Sequence, residues 1–436
     1  MKKRYLMLAL IVLICSLSIV SASEDISISN DTLSVNDAIT LSEDVNKIAD
    51  NVNEVTADSS NGDADNGSSD IVANDTNQQN GGVGDENNNV SNSTSDTNSS
   101  SGKTPEVPVV VAKAKNVVTS GNVKVVYGNK ATYTVKAYDK AGKPIANKLV
   151  TITIGKNVYT KNTNEKGVAT FTFKYNAGNY VIKYSVDKLS GSNTFTVKNK
   201  ITLTVLKWGI KGDVSKVKLI KKNMPNNAVV KKAVEVTKKG IPLLMFKGGP
   251  GKVVFMTAGV HGNELSSQVA AMKMIAHLTK TPVKGTIYIM PFVNVKAIYK
   301  KVRYTDKDFN RIASKSGTIP NKIVKLVSKY KCDAYGDFHT TKPGGVPGKN
   351  IVMGSKGPAK KSADLTNYIA KYAKVNKRIY KYAGEVYPGA ISDNVNKLGI
   401  PAVICEVVLP HNTVTSKSVT LSYNMMKYFL KYSSVI

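Results

Sequence analysis

Apolar and polar residues alternate with a period of two over residues 131–137, 149–154, 169–174 and 180–186. Such alternation places apolar side chains on one face, the mark of a half-buried strand. Turn-forming stretches separate the runs, Asp139-Lys140-Ala141-Gly142-Lys143-Pro144 and Asn164-Glu165-Lys166-Gly167. Short strands at regular intervals with turns of this kind predict a β-sandwich over residues 106–200. Beyond Ile201 the pattern changes. Apolar runs at 253–256, 286–290, 351–353 and 403–407 read as strands. They alternate with helical periodicity at 226–237, 264–279, 320–330, 363–373 and 420–431. That succession predicts an α/β domain over 201–436, long enough for one sizeable core, with a mixed sheet and helices on both faces.

The first hundred residues carry neither period. Residues 1–22 have the layout of a secretory signal: Lys2, Lys3 and Arg4, an apolar run from Leu6 to Ile19, then the small residues Ser21 and Ala22. The run is short for a membrane span, which favours cleavage over an uncleaved anchor. No second run of spanning length follows. Residues 23–105 are poor in aromatics and rich in Asn, Ser, Asp and Gly, and cannot bury enough apolar surface to offset ordering entropy. They predict a disordered acidic spacer, with a short helix over 39–48 as the one local exception. Asn30, Asn66, Asn74, Asn89, Asn92 and Asn98 stand in Asn-x-Ser/Thr triplets, which are glycan acceptors in an exported chain or chance products of the composition. The expected location is secreted or at the cell surface.

Charge and cysteine content refine this. The chain holds 61 Lys+Arg against 31 Asp+Glu, a formal charge of +30. With an acidic spacer, the excess lies in the two folded regions. Such a surface attracts polyanions. Export and the lack of a base-stacking motif argue against nucleic acid, leaving an anionic cell-wall polymer, carboxylate-bearing peptides, or simply a solvated basic surface. Cys15 belongs to the signal; Cys332 and Cys405 lie in apolar strand contexts. They read either as a disulfide, which export permits, or as two buried thiols, and they lack the spacing of a zinc pair.

Candidate chemistry centres on Gly259-Val260-His261-Gly262-Asn263-Glu264, where a strand runs through a small-residue turn into a helix. His261 and Glu264 can reach one point there. An imidazole and a carboxylate are ligand types that Zn²⁺ accepts, and a catalytic zinc takes three protein ligands and keeps one position open. Of four histidines, His339, in Gly336-Asp337-Phe338-His339-Thr340, ends a strand and completes the set His261, Glu264 and His339. His277 sits mid-helix among apolar residues and reads as packing; His411 stays open. Glu406 is a lone charge inside Val403-Ile404-Cys405-Glu406-Val407-Val408, costly to bury unpaired and so a candidate general base. Glu385 is its reserve.

The order His-Gly-Asn-Glu, then Asn294-Val295-Lys296-Ala297, Arg303-Tyr304-Thr305-Asp306-Lys307-Asp308-Phe309-Asn310-Arg311, then Asp337-Phe338-His339-Thr340, then the strand holding Glu406, resembles the aspartoacylase and succinylglutamate desuccinylase family, itself related to zinc carboxypeptidases. The resemblance runs from about Lys207 to the end. It implies a zinc carboxypeptidase-like fold, one Zn²⁺, and roles for matching positions. Arg303 would polarise the scissile carbonyl. Asn310 and Arg311 would hold a free substrate carboxylate. Asp308 and Asp337 would orient site residues from behind, and Tyr387 would contact substrate. Without the resemblance, the arginines read as partners of Asp306 or Asp308. Two departures stand out: Val295 where the family has Pro, a change in the loop leading to Arg303, and Phe309 where it has Leu. The region around Asp139-Lys140-Ala141-Gly142-Lys143-Pro144-Ile145 and Asn164-Glu165-Lys166-Gly167-Val168 resembles the immunoglobulin-like (Ig-like) repeats of bacterial adhesins, which implies a rigid spacer or an adhesive module. The expectation is an exported zinc hydrolase that cleaves an amide beside a free carboxylate, in a cell-wall peptide. The alternatives are an N-acyl amino acid deacylase and a non-catalytic surface adhesin.

Overall fold

The computed structural model describes residues 39–42 and 112–436. The signal and nearly all of the spacer lie outside them. Where 39–48 was expected to start a helix, β1 (Ile39–Ser42) is instead a strand, paired in parallel with the edge of the large sheet. A β-branched pair, Ile39 and Thr40, suits an extended edge better than a helix.

Eight strands follow: β2 (Asn116–Thr119), β3 (Val123–Val126), β4 (Ala131–Tyr138), β5 (Leu149–Ile154), β6 (Asn157–Asn162), β7 (Val168–Phe173), β8 (Gly178–Val186) and β9 (Leu189–Lys198). They form two sheets, β2-β4-β7 and β3-β9-β8-β5-β6, closed over one core that includes Tyr133, Phe171, Ile152, Ile182 and Phe195. Both expected turns are built alike. Asp139 Oδ1 accepts the amides of Ala141 and Lys143, and Asn164 Oδ1 those of Lys166 and Val168. An Asx side chain gathering amides in this way fixes a tight reversal. Gly167, at φ +68°, closes the second; a Cβ there would come within 2.8 Å of the Ala137 carbonyl.

The α/β domain runs β10 (Lys200–Leu206), α1 (Lys218–Lys222), α2 (Ala228–Glu235), β11 (Ile241–Lys247), β12 (Val253–Ala258), α3 (Leu265–Leu278), β13 (Thr286–Met290), α4 (Val295–Lys300), α5 (Ile319–Lys329), β14 (Ala334–Thr341), β15 (Ile351–Gly357), α6 (Lys361–Ala373), β16 (Asn376–Tyr382), α7 (Ile391–Lys397), β17 (Ala402–Val408) and α8 (Ser416–Tyr432). With β1 the strands make a nine-stranded sheet ordered β1-β10-β11-β13-β12-β14-β17-β15-β16. Its centre is parallel: β13, β12, β14 and β17 point the same way, flanked by antiparallel β11 and β15. Helices α3, α6 and α8 pack together, as do α5 and α7. Every residue of β14 is buried, as a central strand covered on both faces must be.

The two units join at Asn199, between β9 and β10. Its buried side chain donates to the carbonyls of Leu278 and Thr281 and accepts from the amide of Val283. Ala177 N–H also donates to the Gly248 carbonyl, 2.6 Å away. Gly248 precedes β12, so the sandwich attaches at the end where the central strands begin. Among the described residues, no helix is long and apolar enough to cross a membrane.

Candidate active site

The site lies where β12, β14 and β17 end. The parallel register sets Thr257 beside Asp337, and His339 beside Glu406. With a period of two, Tyr335, Asp337 and His339 share one face of β14. His261 follows β12 in the loop before α3. Gly262 beside it donates to the Arg303 carbonyl at 2.9 Å, tying the two motif loops together. A Cβ at Gly262 would lie 2.2 Å from the Ala297 carbonyl carbon, so only glycine lets the loop come this near α4. Glu264 occupies the cap position of α3 but makes no capping bond; its carboxylate turns into the site.

There the three expected ligands converge. One donor atom from each of His261, Glu264 and His339 lies within 4.8 Å of the others, and all three residues are buried. His261 Nδ1 is 2.7 Å from Glu264 Oε1, and His339 Nδ1 is 2.8 Å from Glu264 Oε2. The far nitrogens face a carboxylate each: His261 Nε2 is 2.9 Å from Asp308, and His339 Nε2 is 2.8 Å from Asp337. Each acid accepts a hydrogen bond from an Nε2–H, the tautomer that leaves an Nδ1 lone pair directed inward. A carboxylate behind the imidazole is how metal-binding histidines are held and made more basic. This donor set fits a divalent cation in the catalytic zinc pattern of two imidazoles and one carboxylate.

The electrostatics agree. Burial alone would raise Glu264, but His261 and His339 outweigh it and hold its carboxyl well below the usual range. Burial alone would lower His339, but Asp337 and Glu264 outweigh that and raise it well above the ordinary imidazole value. Two carboxylates that favour a proton on this ring equally favour a cation beside it. Burial would raise Asp308 as well, yet the hydrogen bond from His261, with Arg303 adding to it, lowers it.

Behind His339 a buried chain of hydroxyls supports Asp337. Tyr335 OH lies 2.6 Å from Thr257 Oγ1, which donates to Asp337 Oδ1 at 2.8 Å. Asn310 Nδ2 also reaches Asp337, at 3.3 Å, while its oxygen accepts the Ile391 amide. The family resemblance made Asn310 a substrate ligand. It borders the cleft, with Nδ2 between Asp337 and His339, 3.1 Å from His339 Nε2, while its oxygen holds α7. Thr257 and Tyr335 were not expected from the sequence; a threonine in an apolar strand gives no sign of its partner until the register pairs it with an acid.

Glu406 faces the same cleft as His261, His339, Arg303 and Arg311. Its Oε2 is shielded from solvent and has no hydrogen-bond partner. Burial, and then the neighbouring Glu264, push it up to about 8. Arg303 donates to Glu264 at 3.1 Å and to Asp308 at 3.3 Å. Arg311 instead donates to the Asn310 carbonyl and lies 5.3 Å from the centre of the Tyr387 ring; among the described residues it has no carboxylate partner. Tyr387 also lines the cleft. The opposite wall is apolar, formed by Met353, Ile404, Ala390 and the Val346-Pro347 loop, around a cavity of ≈ 50 Å³.

Other expectations resolve simply. Glu385 is not in the cleft; it accepts the amides of Lys381 and Tyr382 and holds a turn, so it is no reserve base. His411 binds the Thr340 carbonyl and Asn263, bracing the segments that carry the ligands without joining them. His277 contacts Thr281 and packs edge-on against Tyr423. Cys332 and Cys405 are buried free thiols. Val295 stands at the first position of α4, where proline is favoured but not required, so this departure leaves the segment toward Arg303 intact. Phe309 packs against the main core as an apolar replacement should.

Residues 250–344 match the model of the succinylglutamate desuccinylase/aspartoacylase catalytic domain. The match is less than half of the chain. It contains all three ligands and the Arg303–Arg311 segment, but not Tyr387 or Glu406. The C-terminal α/β domain is thus similar to this hydrolase family. No curated protein matches the chain significantly. Similar solved structures include the ectoine utilization protein EutE (DoeB) of Ruegeria pomeroyi, at 19% identity and TM-score 0.37, over 46% of this chain and 63% of that one. A succinylglutamate desuccinylase/aspartoacylase from Rhodobacter sphaeroides is 20% identical at TM-score 0.35, over 45% and 59%. The tripeptide-bound cell shape determinant Csd4 of Helicobacter pylori is 13% identical at TM-score 0.35, over 49% and 54%. In each case less than two thirds of the relative is covered, and at such scores the likeness carries no argument about activity.

Proposed function

We propose that the chain is an exported zinc-dependent hydrolase that cleaves the amide next to a free carboxylate in a cell-wall peptide. One observation carries this reading: two imidazoles and a carboxylate converge, each imidazole backed by an acid, Asp337 buried and Asp308 half-buried, with the unpartnered Glu406 oxygen facing the same cleft. Bound at the triad, Zn²⁺ would supply a water of lowered pKa and a Lewis acid beside the scissile carbonyl. Glu406, half-buried at the cleft with its Oε2 shielded and unpartnered, takes the proton of the attacking water and returns it to the departing amine. Arg311 holds the substrate carboxylate, with Tyr387 against its guanidinium. Arg303, at the edge of the triad, steadies negative charge growing on the carbonyl oxygen.

Charge counting favours a peptide over the acidic N-acyl amino acids of the family's name. Acyl-aspartate and succinyl-glutamate carry two or more carboxylates. Of the two arginines in the cleft, Arg303 already serves Glu264 and Asp308, which leaves Arg311 for one carboxylate. The remaining wall is apolar. The sandwich, read as an Ig-like module, and the spacer before it would hold the enzyme away from the cell surface. Purified protein is expected to contain about one zinc per chain, with less in His339→Ala. It should release C-terminal amino acids from isolated wall peptides. Turnover of N-acetylaspartate or succinylglutamate but not of peptides would replace this reading with the deacylase. Equal zinc content in the two proteins, with no turnover, would favour an inert adhesin.

A further inference from the structure

A second cleft, of ≈ 470 Å³, opens on the sandwich rather than on the α/β domain. Its size falls within the range of small-molecule sites, about 300–1,000 Å³. Four of its lining residues are tyrosines: Tyr127, Tyr159, Tyr175 and Tyr180. All four are only half-buried and pack by one side against the sandwich core. They come from separate places: the residue after β3, strand β6, the β7–β8 connection and strand β8. Asn157, Asn176 and Lys174 complete the rim. No acidic side chain lines it.

Three of the four rings are held in place before any ligand arrives. Tyr175 OH lies 3.1 Å from Tyr159 OH and accepts from Asn157 Nδ2 at 2.7 Å. Tyr180 OH donates to the Asn176 carbonyl at 3.0 Å. Tyr175 and Tyr180 meet edge to face at 5.0 Å. Fixed aromatic faces spare a ligand the cost of ordering them. Behind the cleft, Tyr159 and Tyr175 meet Phe173, and Tyr175 and Tyr180 meet Phe195, so the core fixes the rings from behind.

From this chemistry we infer that the tyrosine cleft is a carbohydrate-binding site. A tyrosine face is electron-rich and attracts the weakly positive C–H face of a pyranose ring. The Asn157 and Asn176 amides offer both donors and acceptors, which hydroxyl groups need. A nucleic acid also stacks on tyrosines, but it requires a cationic track for its phosphates, and here a single lysine is present. The cleft adjoins the junction with the α/β domain, since Ala177, next to Asn176, donates its amide to the Gly248 carbonyl. Gly248 lies at the start of the central strands, and the catalytic cleft lies at their far end. The sugar site is therefore separate from the hydrolytic one and stands whether or not the peptidase reading holds.

The test uses the full exported chain and four probes, an N-acetylglucosamine tetramer, cellotetraose, maltotetraose and polygalacturonate, titrated calorimetrically at concentrations on the order of millimolar. At least one should bind. Tyr127→Ala should weaken that binding about tenfold or more, Tyr127→Phe should retain it because the ring is kept, and His339→Ala should leave it unchanged. As a readout independent of variant folding, the bound saccharide should protect Tyr127 or Tyr159 of the unaltered protein from nitration, scored by peptide mass. Absence of binding to all four probes would overturn the proposal. So would saccharide binding that Tyr127→Ala leaves intact without tyrosine protection, or selective binding of oligothymidylate or a proline-rich peptide.

Discussion

Replacing Asp337 by asparagine tests the proposed metal site through a residue that stands behind His339 rather than in the triad. Asp337 is fully buried. It accepts from His339 Nε2 at 2.8 Å, from Thr257 Oγ1 at 2.8 Å and from Asn310 Nδ2 at 3.3 Å. In Asp337→Asn the new amide has one oxygen and one NH₂. If the oxygen faces His339, the tautomer survives, but the imidazole loses the negative charge that made it basic. If the NH₂ faces His339, Nε2 must accept and the proton moves to Nδ1, which then cannot coordinate. Either way zinc binding weakens. Losing such an outer partner costs about 10–100-fold in metal affinity, or roughly 1.4–2.7 kcal/mol. Competition with a chromophoric chelator at neutral pH measures it, with circular dichroism to confirm the fold. A folded variant whose zinc affinity stays within about twofold of the parent, well below the expected loss, would mean that Asp337 does not set the state of His339, and the ligand assignment built on it would fall.

Glu406→Gln keeps shape and burial but cannot take a proton, so kcat should drop about 10²–10⁴-fold while zinc content stays the same; loss of zinc would recast Glu406 as a ligand. Arg311→Ala should raise KM for a peptide with a free carboxyl terminus about 10–100-fold, from a charged hydrogen bond of about 1.5–3 kcal/mol, yet leave the C-terminally amidated peptide unaffected; equal losses on both would remove Arg311 from substrate binding. Asp393, on α7, is pushed up by burial to about 6 from an ordinary 3.8, against the opposing Gly384 amide and Lys397. Its folded pKa is raised, so the neutral form stabilises the fold at low pH, and this contribution is lost as pH rises through about 6. Asp393→Asn should therefore stabilise the fold at pH 8, by an amount on the order of 1 kcal/mol after allowance for solvent screening, and not at pH 4, read in each case as the shift in Tm; an equal shift at both pH values would exclude titration as the cause.

The local periodicities of this chain were enough to locate both folded units. Strand β5 and strand β13 fall on the residues their apolar pattern predicts, because alternation and β-branched side chains leave little choice of conformation. The convergence of His261, Glu264 and His339 could also be anticipated, since the first two are near neighbours and the chain has few histidines. What sequence could not convey was which residue lies behind which. Thr257 and Asp337 are eighty positions apart and meet only because β12 and β14 pair in parallel at that register. The same pairing rule brings His339 beside Glu406, and no local pattern encodes it. The assignments of Arg303, Asn310 and Arg311 turned on tertiary competition for partners. Arg303 was drawn to two acids, Asn310 to a buried carboxylate, and Arg311 was left open toward the cleft. The tyrosine cleft is the extreme case. Four strand and turn residues become one concave surface only when β3, β6 and β8 are ordered into one sheet and the β7–β8 connection folds beside them, because the order of strands in a sheet is set by tertiary pairing and by no single strand.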